Sequence, residues 1–343
     1  MFLRNRWYAA AESLELGREP GQAPIGRIFL GEPVVLYRTA DGTPVALEDR
    51  CCHRRAPLSK GKVEGANLRC GYHGFLYDAT GKVVWVPGQD KVPPDARVRS
   101  YPVLELYGYV WIWMGEAALA DSVAVPDFHW NTQPGWTSGG ALLHVECSYL
   151  MLVDNLLDLS HVPFLHAATI GSANDTDPDL DWERGPDFVR GTRIGRNLVA
   201  PQRLRNMGVT SNIDTRKVMY FTPPCSVNIE ITQTVLDPGN GPPDYTYCIM
   251  DSMTPETETS CHYFWRNARN YDIENPELTK FLCGATTKAF DEDKTMLEAA
   301  QRIIDLDPNA RQVDVNGDSG ALQARRIVDR MLAEERGTRA AAE

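Results

Sequence analysis

The sequence predicts an α+β protein in which an N-terminal all-β module precedes a domain with an antiparallel sheet and long helices. Three observations lead to this prediction. Short apolar stretches separated by tight turns fill the first third of the chain, alternating strands follow in its second half, and two helical segments come last. The 343 residues are 43% hydrophobic and 24% charged, which suits about two domains that each have a core.

The N-terminal module is predicted from its strand and turn signals. The segments PVVLYR and PVALEDR flank the turn TADGT, and LRCGYHGFLYDATGKVVWVP and YPVLELYGYVWIWMG continue the pattern. Gly or Pro interrupts the module so often that long helices cannot form there. We place this domain at residues 1–120 and the second domain at residues 136–343, with a Pro-, Gly- and Trp-bearing linker between them.

The second domain begins with a helical pattern over residues 150–166, followed by a predicted loop rich in Asp, Gly and Asn over residues 171–187. Polar and apolar residues then alternate in CSVNIEITQTV, DYTYCIMDSM and TSCHYFWRNARN, which predicts a sheet because successive side chains of a strand point to opposite faces. Two helices are predicted after the sheet, over residues 278–305 and 321–336.

Charge and cysteine content narrow the function classes. The chain has 35 Lys and Arg against 46 Asp and Glu and no block of like charge, so we expect no nucleic-acid or membrane partner. No signal-peptide core or apolar run long enough for a membrane span is visible, so we expect a soluble, cytoplasmic protein. Eight cysteines are too few for a disulfide-stapled scaffold, and reduced thiols are expected.

A first group of possible metal ligands lies in two loops of the N-terminal module. Cys51 and His53 form the pattern C-x-H, and Cys70 and His73 form the pattern C-x-x-H. Two thiolates and two imidazoles suit a structural zinc ion. They also suit an iron–sulfur cluster that has both thiolates on one iron and both imidazoles on the other, which is the favoured interpretation. The pattern therefore predicts a metal centre of one of these two kinds.

A second group lies in the segment DNLLDLSHVPFLH. Asp154, Asp158 and His161 follow one another at i, i+4 and i+7, which predicts that they share one face of a helix. His166 would lie about 140° away on an unbroken helix. Pro163 is predicted to bend or end the helix, and such a break can bring both imidazoles to one point.

A carboxylate is needed to complete a metal site with these two histidines. Two neutral imidazoles and one carboxylate, with the other positions open, form the facial triad of non-haem Fe(II) oxygenases. In the late helix, Asp293 has Ala289 and Phe290 one turn away and is predicted to face inward, whereas Asp291 lies on a solvated face and Glu292 on the border. A buried carboxylate is costly unless it is paired or metal-bound, so Asp293 is the predicted third ligand.

Taken in this order, the two groups resemble the motifs of the Rieske non-haem iron oxygenases. CCHRRAPLSKG and CGYHGFLYD resemble the cluster-binding loops of Rieske proteins, although Gly71 stands where the family usually has Pro and Phe75 where it usually has Trp. The pattern D-x-x-D-x-x-H-x4-H that follows is similar to the family's catalytic signature. The opening NRWYAAA, the VPGQDKVPP loop and the closing ARRIVDRML look most like the oxygenase components that act on toluenesulfonate, vanillate and dicamba.

The resemblance implies two iron centres, a [2Fe–2S] cluster in an N-terminal Rieske domain and a mononuclear Fe(II) in a helix-grip (START-like) catalytic domain. The implied ligands are Cys51, His53, Cys70 and His73 for the cluster and His161, His166 and Asp293 for the Fe(II). The resemblance also assigns to Asp158 the carboxylate that links the mononuclear iron to the cluster ligand of a neighbouring subunit. A homotrimer is therefore expected.

The implied activity is that of a terminal oxygenase, which uses O2 to hydroxylate a methyl or methoxy group of a substituted aromatic acid. The sequence has no G-x-G-x-x-G motif at a strand-to-helix turn, so we expect NAD(P)H, and flavin or ferredoxin, to belong to a separate reductase. Two alternatives stay open, a ring cis-dihydroxylating dioxygenase and a non-catalytic Rieske electron carrier with a ligand-binding domain.

Substrate contacts are predicted from strand alternation. In TSCHYFWRNARN, His262 shares a mixed polar and aromatic face with Phe264 and Arg266, a face that suits a flat aromatic acid. Asn228 lies on the polar face of its own strand. Oriented polar groups in an otherwise apolar pocket fix the pose of a ligand, so His262 and Asn228 are the predicted contacts.

Overall fold

The chain folds into two units. The computed structural model describes residues 1–17, 22–167, 169–170 and 179–342. The first unit comprises Phe2–Val125 and Thr254–Thr257, and the second comprises Pro126–Met253 and Glu258–Glu343 together with Met1. The division after Val125 falls within the linker that the sequence predicts between residues 120 and 136. The assignment of residues 254–257 to the first unit was not expected from the sequence.

Strands dominate the first unit, as predicted. They are β1 (Trp7–Glu12), β2 (Ile25–Phe29), β3 (Glu32–Arg38), β4 (Pro44–Glu48), β5 (Lys62–Glu64), β6 (Asn67–Arg69), β7 (Leu76–Tyr77), β8 (Val83–Trp85), β9 (Ser100–Tyr101), β10 (Val103–Leu106) and β11 (Tyr109–Trp113). They form three sheets with the orders β1-β11-β10, β2-β3-β4-β9 and β5-β6-β7-β8. One cysteine–histidine loop follows β4 and the other joins β6 to β7.

A buried apolar cluster supports both of these loops. Leu58, Leu68 and Tyr77 are fully buried in it, and the side chains of Cys51 and Cys70 belong to the same cluster. The loops are therefore anchored through their cysteines, which fixes the position of the thiols relative to the sheet.

A large antiparallel sheet and a long helix form the second unit. The strands of the sheet are β12 (Thr137–Val145), β13 (Asp179–Arg184), β14 (Val189–Leu198), β15 (Ile213–Thr222), β16 (Ser226–Val235), β17 (Asp244–Thr257) and β18 (Ser260–Arg269), and the last four residues of β17 are the ones assigned to the first unit. The helices of the second unit are α1 (Tyr149–Leu157), α2 (Val162–Leu165), α3 (Gln202–Asn206), α4 (Pro276–Leu306) and α5 (Ser319–Ala342). The sheet order is β12-β18-β17-β16-β15-β14-β13.

Helix α4 packs on the sheet as the helix-grip fold requires. Its contacts are with β12 and β18. The ring of Phe290 lies 5.1 Å from that of Tyr263 and 5.5 Å from that of Trp265. Asn275 caps the helix by accepting a hydrogen bond from the Leu278 amide, and Pro276 occupies the first turn, where a missing N–H costs nothing. These contacts fix which face of α4 is buried.

The loop predicted over residues 171–187 is only partly within the described residues. Residues 171–178 lie outside them, and Asp179–Arg184 form the strand β13 at the edge of the sheet, so the prediction is wrong there. The acidic composition concealed a short alternation in which Leu180 and Trp182 are separated by Asp181. Trp182 packs so closely on Gly191 and Gly320 that a Cβ at either glycine would meet its ring.

The helix that carries the second metal motif ends earlier than predicted. Helix α1 stops at Leu157, and Asp158 is extended, with φ −113° and ψ 93°. The Asp158 carboxylate accepts a hydrogen bond of 3.0 Å from the Ser160 amide and so begins a separate 3₁₀ turn. Pro163 lies in the first turn of α2, where proline is tolerated. The predictions of one helical face through Asp158 and His161 and of a break at Pro163 are therefore wrong.

Among the helices of the described residues, none combines the length and the apolar character that crossing a bilayer requires.

Candidate functional site

Three of the predicted ligands of the second metal centre come together. One ligand atom from each of His161, His166 and Asp293 lies within 4.8 Å of the other two. Asp293 Oδ1 is 3.2 Å from His166 Nε2 and 3.5 Å from His161 Nε2. His161 ends the 3₁₀ turn after Asp158, His166 follows α2, and Asp293 projects from α4. The break at Asp158, not one at Pro163, brings the two imidazoles together.

Hydrogen bonds orient both imidazoles toward this point. His161 Nδ1 lies 2.7 Å from the backbone oxygen of Asp158, and His166 Nδ1 lies 2.7 Å from Glu292 Oε2. Both partners are acceptors, so each Nδ1 donates to its partner and each Nε2 is the nitrogen directed toward the metal site. This is the arrangement by which outer groups fix the tautomer of metal-bound histidines. Thr169 Oγ1 also donates a hydrogen bond of 3.0 Å to Glu292 Oε2.

Charge and burial around Asp293 fit a divalent metal ion. Asp293 is 3% exposed, as predicted for an inward residue, and accepts a hydrogen bond of 3.0 Å from Asn155 Nδ2. Burial lowers the pKa of His161, which favours the neutral form that binds metal. Burial also acts to lower the pKa of His166, but its hydrogen bonds with Asp293 and Glu292 have the larger effect, so the pKa of His166 is raised. Within the described residues, no Lys or Arg pairs with Asp293, so its charge is left for a cation.

These three residues lie in the wall of a cavity. Most of its wall is apolar, including Leu156, Ile229, Ile231, Ile249, Leu282 and Phe290. Polar side chains of the wall include Arg203, Lys217, Gln233 and Asn267. A mainly apolar cavity with a few polar groups beside a candidate metal centre is typical of a small-molecule site.

The two predicted substrate contacts do not line this cavity. On β16 the cavity wall is formed by Ile229, Ile231 and Gln233, so Asn228 lies on the opposite face of the sheet. There its side-chain amide donates a hydrogen bond of 2.7 Å to the Asp127 carbonyl. On β18 the wall residue is Asn267, which places His262 on the opposite face as well. The predicted alternation is observed, but both residues lie on the face away from this cavity, and the sequence does not say which face of the sheet the cavity borders.

The first metal group combines buried cysteines with exposed histidines. Cys51 and Cys70 are each 2% exposed, whereas His53 and His73 are exposed, with ring centroids 4.7 Å apart. Burial is the main reason that the pKa of Cys70 is raised. All eight cysteines of the chain are free thiols. A metal centre here would be sheltered at its thiolate end and open to solvent at its imidazole end.

The two loops share one backbone arrangement. The backbone amide of Cys51 donates a hydrogen bond of 2.9 Å to the Ala56 carbonyl, and that of Cys70 donates one of 2.8 Å to the Phe75 carbonyl. Arg55 and Gly74 lie four positions after these cysteines, and their backbone amides donate hydrogen bonds to the cysteine carbonyls. Both residues have a positive φ, 60° at Arg55 and 75° at Gly74. The loops thus form two matching halves of one site.

The spacing of the four side chains separates the two kinds of metal centre. A tetrahedral zinc ion would hold all four ligand atoms within about 4 Å of one another. In the part of the chain that the structure describes, His161, His166 and Asp293 are the only such residues that gather three ligand atoms within 4.8 Å. The two cysteine–histidine loops therefore fit a cluster whose thiolates and imidazoles bind different irons.

Both departures from the usual Rieske loops have a structural explanation. Phe75 stacks on the ring of His53, with centroids 4.8 Å apart and planes 2° apart, so it supplies the aromatic surface for this loop. A Cβ at Gly71 would lie 2.5 Å from the carbonyl oxygen of Lys60. Glycine is needed here because the two backbone segments approach so closely.

Three residues of this site were not identified as contributors from the sequence. Glu292 was placed on the border of its helix, yet it holds His166, and its position beside Asp293 was the available signal. Asn155 has no role in the sequence analysis, although it follows Asp154 in the second metal motif and donates to Asp293 in the structure. Arg203 went unnoticed because it lies in α3, a helix of 5 residues that is too short for a periodic pattern.

Comparisons with known proteins agree with this geometry. The family model for the Rieske [2Fe–2S] domain matches residues 6–102, and that for the vanillate O-demethylase oxygenase C-terminal domain matches residues 145–334. The chain is 37% identical to a putative toluene-4-sulfonate monooxygenase system iron-sulfur subunit of Comamonas testosteroni, over 98% of this chain and 99% of that protein. It is 36% identical to a vanillate O-demethylase oxygenase subunit of a Pseudomonas species, over 98% and 96% of the two chains.

A crystal structure of dicamba monooxygenase with non-haem iron and dicamba is similar in fold, with a TM-score of 0.83 and 31% identity over 98% of this chain and 99% of that one. Because these similarities extend over nearly the whole chain, the protein belongs to the Rieske non-haem iron oxygenases, oxidoreductases whose cofactors are a [2Fe–2S] cluster and a mononuclear iron.

Proposed function

We propose that this chain is the terminal oxygenase of a multicomponent monooxygenase that hydroxylates a methyl or methoxy carbon of a substituted aromatic acid. The observation that carries the proposal is the cavity beside His161, His166 and Asp293, which is mostly apolar but also contains Arg203 and Lys217. An apolar wall suits an aromatic ring, and cationic groups suit its acid substituent. Toluene-4-sulfonate and vanillate, named for two relatives, are both aromatic acids with a methyl or methoxy group.

The residues of the site divide the work between holding the metal and holding the substrate. His161, His166 and Asp293 would bind the mononuclear iron, which, when bound, activates O2 with electrons relayed from the cluster. The Asp158 carbonyl and the Glu292 carboxylate hold the two imidazole rings in orientation through their Nδ1 atoms, and Asn155 donates a hydrogen bond to Asp293. The apolar wall excludes water and holds the ring so that one carbon faces the metal.

Electrons would enter through the Rieske domain. Cys51 and Cys70 would bind the buried iron, and the exposed His53 and His73 would bind the outer iron and form the edge through which electrons pass. The oxygenase component requires a separate reductase, for which we propose an NAD(P)H-dependent protein with flavin or ferredoxin. We further propose a cytoplasmic homotrimer in which the Asp158 carboxylate accepts a hydrogen bond from a cluster histidine of a neighbouring subunit.

Oxygen consumption with matched substrates tests this proposal. The holoenzyme is combined with a surrogate reductase and NADH and given 4-methylbenzenesulfonate or 4-methoxybenzoate, with benzoate as the control that lacks the reacting carbon. We expect consumption with the first two acids, formaldehyde from the methoxy acid, and neither with benzoate. The His161→Ala variant should retain the spectrum of the cluster but give no product.

Two results would replace this proposal with another activity. Oxygen consumption with benzoate that yields a cis-dihydrodiol would identify a ring dioxygenase. A protein with about two irons per chain rather than about three, which accepts electrons from the reductase but consumes oxygen with none of the acids, would identify an electron carrier.

A further inference from the structure

Arg203 is a buried cation in the wall of the cavity. Its side chain is 8% exposed, and it lies in α3 among the apolar residues Leu204 and Val209. The guanidinium lies over the ring of Tyr247, 4.3 Å from its centroid, and donates a hydrogen bond to Gln233 Oε1. Gln233 and Tyr247 also line the cavity, so this group belongs to the cavity wall rather than to a separate core.

The hydrogen bonds of Arg203 are fewer than those of a structural arginine. Arg269 is 1% exposed and donates to the carbonyls of Tyr271, Asp272 and Asn275 and to the hydroxyl of Thr279. Its three nitrogens are all satisfied by the protein. Arg203 has five N–H donors like any arginine, yet its hydrogen-bond partners among the described residues are the amide oxygen of Gln233 and the hydroxyl of Tyr247.

No carboxylate compensates the charge of Arg203 within the described ranges. Every ion pair there joins other residues, and Gln233 and Tyr247 are both uncharged. Burying a cation without an anion is costly, so folds seldom keep such a residue unless something pairs with it. A guanidinium that faces an apolar cavity is suited to a planar carboxylate or a sulfonate, which it can bind through two parallel hydrogen bonds.

We infer that Arg203 binds the acid group of the substrate and determines that the enzyme selects anionic aromatic compounds over neutral ones. This inference rests on the proposed function and extends it by naming the residue that recognises the acid. Tyr247 and Gln233 position the guanidinium, and the apolar wall contacts the ring. Its partners Gln233 and Tyr247 are not metal ligands, so we assign Arg203 to substrate selection and not to the chemical step.

Binding to the oxidised holoenzyme, without reductase, tests the inference apart from turnover. Calorimetry compares 4-methoxybenzoate with 4-methoxybenzamide, which has the same shape and no charge. In Arg203→Met we expect affinity for the acid to fall at least about tenfold and affinity for the amide to change little. Arg203→Lys keeps the positive charge but cannot form two parallel hydrogen bonds with a carboxylate, so it should lose part of the preference for the acid over the amide. Arg205→Met changes an exposed arginine of the same helix and should match the wild type.

The outcomes separate this inference from the proposed function. If Arg203→Met binds both the acid and the amide with wild-type affinity, the inference is wrong, whatever the enzyme oxidises. Where Arg203→Met does not load its cluster, the same criterion is applied to Arg203→Lys. If the acid binds in an Arg203-dependent manner but its methoxy group is never oxidised, the inference stands and the proposed function fails. Cluster absorbance and iron content establish that each variant is folded.

Discussion

Single side chains decide whether the two matching loops can hold a [2Fe–2S] cluster. Cys51→Ser and His73→Ala should each abolish the electron paramagnetic resonance signal of the reduced Rieske cluster, because each removes one of the four proposed ligands. Cys52→Ser is the matched control, since Cys52 is adjacent to Cys51 but exposed, and it should keep the signal. A normal Rieske spectrum in Cys51→Ser would rule out the proposed ligand set.

Asp251 is a buried carboxyl group with a distinct dependence on pH. It is 0% exposed, and burial raises its pKa well above the usual value, although Tyr263 donates a hydrogen bond of 2.9 Å to Oδ1. The unfolded chain releases this proton near pH 3.9, whereas the folded protein keeps it. The folded state therefore binds more protons above that pH, and Asp251 makes folding less favourable as the pH rises toward its folded pKa.

Replacing this carboxyl group should remove that dependence. Asp251→Asn keeps the size and the acceptor for Tyr263 but cannot ionise, so its melting temperature should improve relative to the wild type between pH 5 and pH 8. The measurement is the difference between the two melting temperatures across this range, with cluster content kept equal. A difference that is constant with pH would show that Asp251 ionises in the folded protein as it does in the unfolded chain.

The sequence was informative about residue types and local spacing but not about the environment of each residue. Both cysteine–histidine pairs and the inward position of Asp293 could be predicted because each depends on a few neighbouring positions. Arg203 could not be predicted, because its role depends on Gln233 and Tyr247 from two distant strands.

Helix α4 contributes both a candidate metal ligand and the group that holds another ligand. Asp293 and Glu292 are consecutive, yet one faces the metal site directly and the other reaches it through His166. In Glu292→Ala the imidazole of His166 loses its acceptor, and the affinity of the mononuclear site for Fe(II) should fall about 10- to 100-fold while the cluster remains.

Anaerobic Fe(II) titration of protein whose mononuclear site has been emptied with a chelator measures this affinity. Asp291→Ala is the control, because Asp291 precedes Glu292 on the same helix and is exposed. Equal affinity in Glu292→Ala and Asp291→Ala would show that His166 does not need Glu292 for its orientation.

Element boundaries show where sequence periodicity fails. Both long helices near the end of the chain were predicted to start within two residues of the observed position, because their apolar positions recur over many turns, but α5 ends at Ala342 rather than at the predicted residue 336. The end of α1 was not predicted correctly, because Pro163 is the stronger helix-breaking signal in the sequence. In the structure the helix already ends at Leu157, and Asp158 begins a separate 3₁₀ turn. The cavity-facing side of the sheet was also misjudged, since that choice depends on where α4 packs.

For the whole molecule, the proposed relay requires electrons to pass between subunits. Asp158→Asn should retain both metals and the trimer but lose most of its turnover, because the bridging acceptor is weakened while its volume is kept. Reductase-coupled product formation measures this loss. Full activity in Asp158→Asn, or turnover by a monomer in dilute solution, would contradict the relay.

Mixed assemblies test the same relay without relying on a single carboxylate. His73→Ala chains lack a working cluster, and His161→Ala chains lack a working mononuclear site, so neither forms product alone. Trimers assembled from both should regain activity if the cluster of one subunit serves the iron of its neighbour. Mixed trimers that stay inactive, while each variant keeps its remaining metal centre, would place the whole electron path within one chain.

The claim that this chain hydroxylates a methyl or methoxy carbon is tested most directly by tracing the oxygen atoms of labelled O2 into the product. The complete system is given oxygen-18 gas and 4-methylbenzenesulfonate, and the product is analysed by mass spectrometry. We expect the corresponding benzyl alcohol with one labelled oxygen on the former methyl carbon and an unaltered ring. Two labelled oxygens on ring carbons, or a product without label while O2 is consumed, would contradict it.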